Sequence, residues 1–247
     1  MSTQGTSRVG IIQSSYIPWR GYFDFIQSVD HFVFYDDIQY SKGGWRNRNK
    51  LKAANGTMWI TVPIELPSSK ALINEVKISR FSKGKALDWQ SKHINLINEN
   101  YRKAPYLNDV LGLLYDAYQY KDETLSQLNI RLTKSICEYL GIKTKFWGSQ
   151  DLSTEGCKTE RLIAMLKKLD ASHYLSGPSA DAYLDKLQFE ANNIVLEYKS
   201  YDYPAYPQLW GKFDGAVSIL DLLANCGGQS RGLLRSTSDN TVVKAEY

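Results

Sequence analysis

Short apolar runs alternate with amphipathic stretches along this chain. Residues 9–12 (VGII) are apolar throughout and rich in β-branched side chains, the pattern of a strand covered on both faces. A polar turn follows at Gln13, Ser14 and Ser15. Trp19, Tyr22, Phe23 and Ile26 then recur at helical spacing, which predicts a helix packed on the sheet, with Pro18 in its first turn. A second apolar run, residues 32–35, ends in Asp36 and Asp37. Next comes a charged loop from Tyr40 to Lys50. Residues 57–64 read as a strand and 73–78 as a half-exposed or edge strand. Helices are predicted over 84–100, 107–120 and 123–140, the last stopped by Gly141. Strand and helix signals then alternate: strand 144–147, helix 159–169, strand 173–175, a strand region over 189–198, and helix 216–223.

That alternation predicts an α/β fold: a Rossmann-like, mostly parallel sheet with helices on both faces, plus a small helical layer. Residues 1–235 are expected to form a single α/β domain with a helical insertion near 84–140, and residues 236–247 a mobile tail. Open α/β sheets place ligands beyond the carboxyl ends of their strands, so the loops after the first two strands are the candidate site.

Gln13 and Ser14 stand just before a helix start, where free N–H groups favour an anion; an ordinary polar loop explains them equally well. Asp36 and Asp37 are adjacent, so in an extended chain they point to opposite sides and at most one faces the site. The stretch from Tyr40 to Lys50 concentrates Trp45, Arg46, Asn47 and Arg48. Arginine grips phosphate or carboxylate with two N–H groups, and Trp45 can stack on a base or sugar. His93 falls on the apolar face of the predicted helix 84–100, so it is either a hydrogen-bonded core histidine or a catalytic base. Gly177 lies in a Gly-Pro turn after a short strand, where backbone can approach a ligand; the same dipeptide marks ordinary turns.

A chain of 247 residues with a net charge of +4 fits a protein meeting anionic small molecules. No Lys/Arg block argues for nucleic acid. Cys137, Cys157 and Cys226 are dispersed and odd in number, so neither a disulfide framework nor a metal site is indicated, and a reducing cytoplasm is expected. Residues 1–7 are polar, without the apolar core of a signal peptide. No apolar stretch reaches membrane-spanning length. The oligomeric state is open.

The residues Gln13, Tyr16, Pro18, Trp19, Gly21, Tyr22 and Phe23, then Asp36, Asp37, Gln39 and Tyr40, then Trp45, Asn47, Arg48, Asn49 and Lys50 resemble the signature of the WbqC-like family. Ser14 stands where that family usually has proline. The resemblance continues through Lys92-His93, residues 101–106, residues 174–177 and the region 201–206. It implies a protein of surface-glycan gene clusters that transfers an acyl group, with acetyl-CoA or another acyl-CoA as co-substrate, to the amine of a nucleotide-linked amino sugar. In that setting His93 would take the amine proton, and Asp36 or Asp37 would orient it or hold sugar hydroxyls. Gln13, Ser14, Tyr16, Tyr40, Trp45, Arg46, Asn47, Arg48 and Gly177 would contact substrate. No metal is expected. A weaker resemblance to the nucleotide-binding opening of HIGH-type nucleotidylyl transferases supports the Rossmann-like expectation, although no histidine stands in the turn. Two other functions stay open: a nucleotidyl- or glycosyltransferase of the same pathway, in which Asp36 and Asp37 would hold a divalent metal, and a non-catalytic nucleotide-sugar-binding protein.

Overall fold

The computed structural model describes residues 6–82, 84–86 and 88–244. The elements in chain order are β1 (Arg8–Ile12), α1 (Arg20–Gln27), β2 (His31–Phe34), β3 (Arg48–Ala53), β4 (Gly56–Thr61), β5 (Ile64–Glu65), β6 (Lys77–Ile78), β7 (Phe81–Ser82), β8 (Lys85–Ala86), α2 (Trp89–Tyr101), α3 (Leu107–Tyr118), α4 (Leu125–Tyr139), β9 (Lys145–Gly148), α5 (Lys158–Lys168), β10 (His173–Ser176), α6 (Lys186–Ala191), β11 (Val195–Tyr198), α7 (Ile219–Cys226) and β12 (Thr241–Val243). The main sheet has six strands in the order β12-β11-β10-β1-β2-β9. Every neighbouring pair is parallel except β11 and β12. This is an α/β fold, as the alternation of signals predicts.

The apolar strands bury both faces, and their period of two divides them between two cores. Val9, Ile11 and Val33 face a core built with α5 and α6. Phe32, Phe34 and Leu175 face the other, built with α1, α2, α3, α4 and α7. Gly10 lies on that second side. A Cβ there would stand 2.3 Å from the Phe25 ring, so glycine lets α1 lie close on the sheet.

Several sequence expectations are corrected. The first half of the charged stretch is a loop, but from Arg48 onward it is strand β3. It pairs with β4 as an antiparallel hairpin outside the main sheet, with Lys50 opposite Trp59. Asn49 and Leu51 point inward while Arg48 and Lys50 are half-buried, so polar residues disguise an alternating strand. The edge strand expected over 73–78 is a 3-10 turn, Ile73–Glu75, followed by the short β6. The helix expected over 84–100 begins at Trp89, capped by the Asp88 carboxylate, which accepts from the Ser91 N–H at 3.2 Å; residues 83 and 87 lie outside the described residues. The first part of the region 189–198 belongs to α6. The expected tail contains β12, which pairs with β11; residues 245–247, like 1–5 at the other end, lie outside the described residues. No helix among the described residues is long and apolar enough to cross a membrane.

Candidate functional site

Because β1 and β2 are parallel neighbours, their following loops emerge on one edge of the sheet. A cavity of about 330 Å³ opens there, lined by Ile12, Ser15, Pro18, Trp19, Tyr22, Trp45, Arg46, Asn49 and Ala216. Mostly apolar walls with a few polar groups are the usual make-up of a small-molecule pocket.

The turn between β1 and α1 forms the floor, and it is strained. Ile17 has φ of +42°, a left-handed conformation that a β-branched residue rarely adopts. Its neighbours hold it there. The Asn49 Nδ2 donates to the Tyr16 carbonyl (3.1 Å) and the Ile17 carbonyl (2.8 Å). The Ser218 hydroxyl donates to the Ile17 carbonyl at 2.9 Å, and the Ile219 N–H to the Pro18 carbonyl at 2.9 Å. Strain of this kind persists only where surrounding contacts over-determine it, and it clusters at binding sites. Trp19 folds back over the first turn of α1, where a Cβ on Gly21 would stand 2.4 Å from its ring; glycine is required for that wall.

Arg46 is the charged group of the cavity. Its guanidinium donates to the Ser14 carbonyl at 2.9 Å. Among the described residues no carboxylate lies within ion-pair distance of it. Burial lowers its pKa from the ordinary value, against the raising influence of Tyr22, Asp36 and Tyr40; arginine nonetheless stays charged in proteins. Tyr22, whose phenol burial pushes well up, is neutral and donates to the Gln13 carbonyl at 3.0 Å.

The structure brings only part of the predicted site together. Trp45 and Arg46 line the cavity; Arg48, on β3, does not and lies over the Trp59 ring. Ser14 is fully buried. Its N–H, expected to meet a phosphate, instead donates to the Asp36 carboxylate at 2.8 Å. Asp36 is itself buried, and its other oxygen accepts from the Ser126 hydroxyl on α4. Asp37 points the other way, as strand alternation requires, to an ion pair with Arg161 and a 2.6 Å hydrogen bond from Ser149. Both carboxylates are engaged in contacts within the fold, and neither lines the cavity. Tyr40 is buried and donates to the Asn47 Oδ1 at 3.0 Å, and the Asn47 Nδ2 donates to the Val62 carbonyl at 2.9 Å; these two side chains pin the loop rather than face the cavity. Gln13 is half-buried at the end of β1 and offers its carbonyl to Tyr22. Gly177 caps the turn after β10 with an ordinary φ of −78°, and a Cβ there would meet nothing within 4 Å, so no close backbone approach demands glycine. Neither lines the cavity.

His93 is a core residue, only 4 % exposed. Its Nδ1 and the Tyr16 hydroxyl are 2.7 Å apart, and that hydroxyl also bonds Tyr118. Trp89 packs against the ring. Burial lowers its pKa to about 4, and a hydrogen bond with the Thr61 backbone only partly opposes this. Tyr16 is fully buried too. The candidate base His93 and the candidate substrate-binding Tyr16 therefore bond each other beneath the surface, and neither lines the cavity.

The cavity residues that sequence reasoning missed are Ile12, Ser15, Pro18, Asn49 and Ala216, together with Trp19 and Tyr22, which the helical period marks only as packing. A signal for Asn49 was present: it alternates with Arg48 and Lys50 as an inward residue of a strand.

The chain belongs to the WbqC-like protein family, whose sequence model matches residues 13–232. It is 43 % identical over 231 residues to the uncharacterised protein Rv1507c of Mycobacterium tuberculosis (strain ATCC 25618 / H37Rv), an alignment covering 92 % of this chain and 97 % of that protein. No solved structure matches it.

Proposed function

We propose that this protein is an N-acyltransferase that acylates the amine of a nucleotide-linked amino sugar, with acetyl-CoA or another acyl-CoA as donor, in surface-glycan biosynthesis. The acyl-transfer half of the reading rests on the family resemblance. The binding half rests on one observation: an arginine without a carboxylate partner in an aromatic-walled cavity at the carboxyl edge of a mostly parallel sheet. A phosphorylated sugar offers both the anion for Arg46 and a ring to lie against Trp19 and Tyr22.

In the proposed reaction the neutral amine attacks the thioester carbonyl carbon. The C–N bond forms, the C–S bond breaks, and the amine proton ends on the departing sulfur, giving an amide and a free thiol. No titratable base lines the cavity, so the amine must arrive unprotonated. The cavity contributes position, by holding the acceptor near the donor. The metal-dependent alternative would use Asp36 and Asp37 together, and these diverge into separate structural contacts.

Purified protein incubated with acetyl-CoA and a panel of nucleotide-linked amino sugars, read by mass spectrometry, is expected to yield an acetylated sugar nucleotide and free thiol. Binding of a nucleotide sugar by calorimetry without product from any acyl-CoA overturns the catalytic reading in favour of a binding protein.

A further inference from the structure

We propose that the outer face of the β3–β4 hairpin is a nucleotide platform. There Trp59, beside Trp45, takes a base, while Arg48 and Lys50, with Arg46, take a diphosphate. The proposal deepens the nucleotide-sugar reading and rests on it for the nature of the ligand.

Trp45 and Trp59 are 45 % and 44 % exposed, although tryptophan is usually highly buried. Their ring centroids are 5.3 Å apart with 30° between the planes, so the two exposed rings lie together as an aromatic pair. Trp45 also lines the cavity, and the pair therefore continues the cavity wall outward. Strand register brings charge onto it. Lys50 is the direct partner of Trp59 across the hairpin, with its Nζ 5.3 Å from the ring centroid. The Arg48 guanidinium lies 4.4 Å from the same ring and bonds the Gly43 carbonyl. The buried Arg48 Nε has no acceptor. Among the described residues, none of Arg46, Arg48 and Lys50 has a carboxylate within ion-pair distance.

An aromatic surface bordered by unpaired cations is how proteins hold nucleotides without reading their sequence: bases stack and phosphates meet arginine or lysine. The spatial order also fits. A ligand with its base at Trp59 reaches the cavity past Trp45 and Arg46, which both line it, and this suits the order base, diphosphate, sugar. A nucleotide sugar and the adenosine diphosphate part of coenzyme A share the first two parts, so both are sources of the ligand to be distinguished.

The test is isothermal titration of the full chain with uridine, thymidine, guanosine and adenosine diphosphates, with 3′,5′-adenosine diphosphate, and with pyrophosphate. Trp59→Ala is expected to weaken nucleotide binding about tenfold, the scale of one lost stacking contact, and to leave pyrophosphate binding unchanged. Trp59→Phe should restore most of the loss. Lys50→Gln should weaken nucleotides and pyrophosphate alike. Loss confined to the two adenosine nucleotides identifies the donor as occupant; loss for the uridine, thymidine or guanosine diphosphates identifies the acceptor. Unchanged nucleotide affinity in Trp59→Ala, in protein that melts normally, overturns the platform. So does sedimentation showing that Trp59→Ala abolishes a dimer while nucleotide affinity holds. Turnover together with an unchanged Trp59→Ala affinity removes the platform and leaves acyl transfer standing. A tenfold loss of affinity in a protein that acylates nothing does the reverse.

Discussion

Lys199 and the cations of the β3–β4 hairpin differ in one respect, which is whether an acid stands beside them. Lys199, on the loop after β11, is 5 % exposed, and its Nζ lies 2.6 Å from Asp24 on α1. Asp24 also accepts from the Tyr203 hydroxyl at 2.8 Å and the Ser236 N–H at 3.1 Å. A charge removed from water must be paired and hydrogen-bonded, or its desolvation cost stands uncompensated. Arg46, Arg48 and Lys50 keep part of their hydration, so they persist without partners. Burial with a hydrogen-bonded partner, Asp24 for Lys199 and Gln208 for Lys52, thus separates the charges that hold the chain together from those left available to a ligand. His93 shows the remaining solution: it is a buried basic group without a carboxylate, and it stays neutral.

The comparison breaks first at the buried pair. Lys199→Met leaves Asp24 buried without its cation, and it is expected to cost about 3–5 kcal/mol of stability, read as a lower urea midpoint. Adding Asp24→Asn should recover part of that loss, and nucleotide affinity of the folded protein should not change. If the single variant melts like wild type, pairing does not mark the structural charges.

The neutral histidine gives the next effect. Its folded pKa of about 4 lies below the ordinary value near 6.5, so the unfolded chain binds the extra proton between these values. Stability is then full above about pH 6.5 and falls as pH drops towards 4, by about 3 kcal/mol from this residue. His93→Asn should lower stability at neutral pH and remove that acid slope, while the turnover of folded enzyme stays near wild type. A normal melting curve with kcat reduced a hundredfold or more would return His93 to the reaction.

The smallest effect sharpens the other side. Arg46→Ala is expected to weaken nucleotide-sugar binding by about 2 kcal/mol, the scale of a hydrogen bond to a charged group, with little change in melting temperature. Arg46→Lys should fall between, since charge remains but the planar fork is lost. A large melting shift without loss of affinity would place Arg46 with Lys199.

Much of this was legible in the sequence. The runs at 9–12 and 32–35 are apolar on both alternating faces, so two buried parallel strands follow from composition alone. The divergence of Asp36 and Asp37 follows from strand alternation. The burial of His93 follows from its helical position, but its partners do not: the Tyr16 hydroxyl and the Thr61 backbone come from segments far away in sequence. β3 was hidden because its outward residues, Arg48, Lys50 and Lys52, are charged and one of its inward ones, Asn49, is polar. Lys52 is buried by the loop carrying Gln208, to which its Nζ donates at 3.0 Å. Ala216 joins the cavity from the far end of the chain, and no local pattern announces that.

The hydrogen bond from the Ser14 amide to Asp36 has a consequence for ionic strength. The first turn of the sheet, where nucleotide folds of this kind often hold phosphate, already contains an anion supplied by the protein. Ligand arrival exchanges nothing there. In the proposed function the charges that draw a phosphate in are Arg46, Arg48 and Lys50, whose field in solvent fades within about 10 Å in 0.1 M salt. Capture is therefore expected to be salt-sensitive in its association rate, while the turn beneath the cavity keeps the same electrostatic balance whether the site is full or empty.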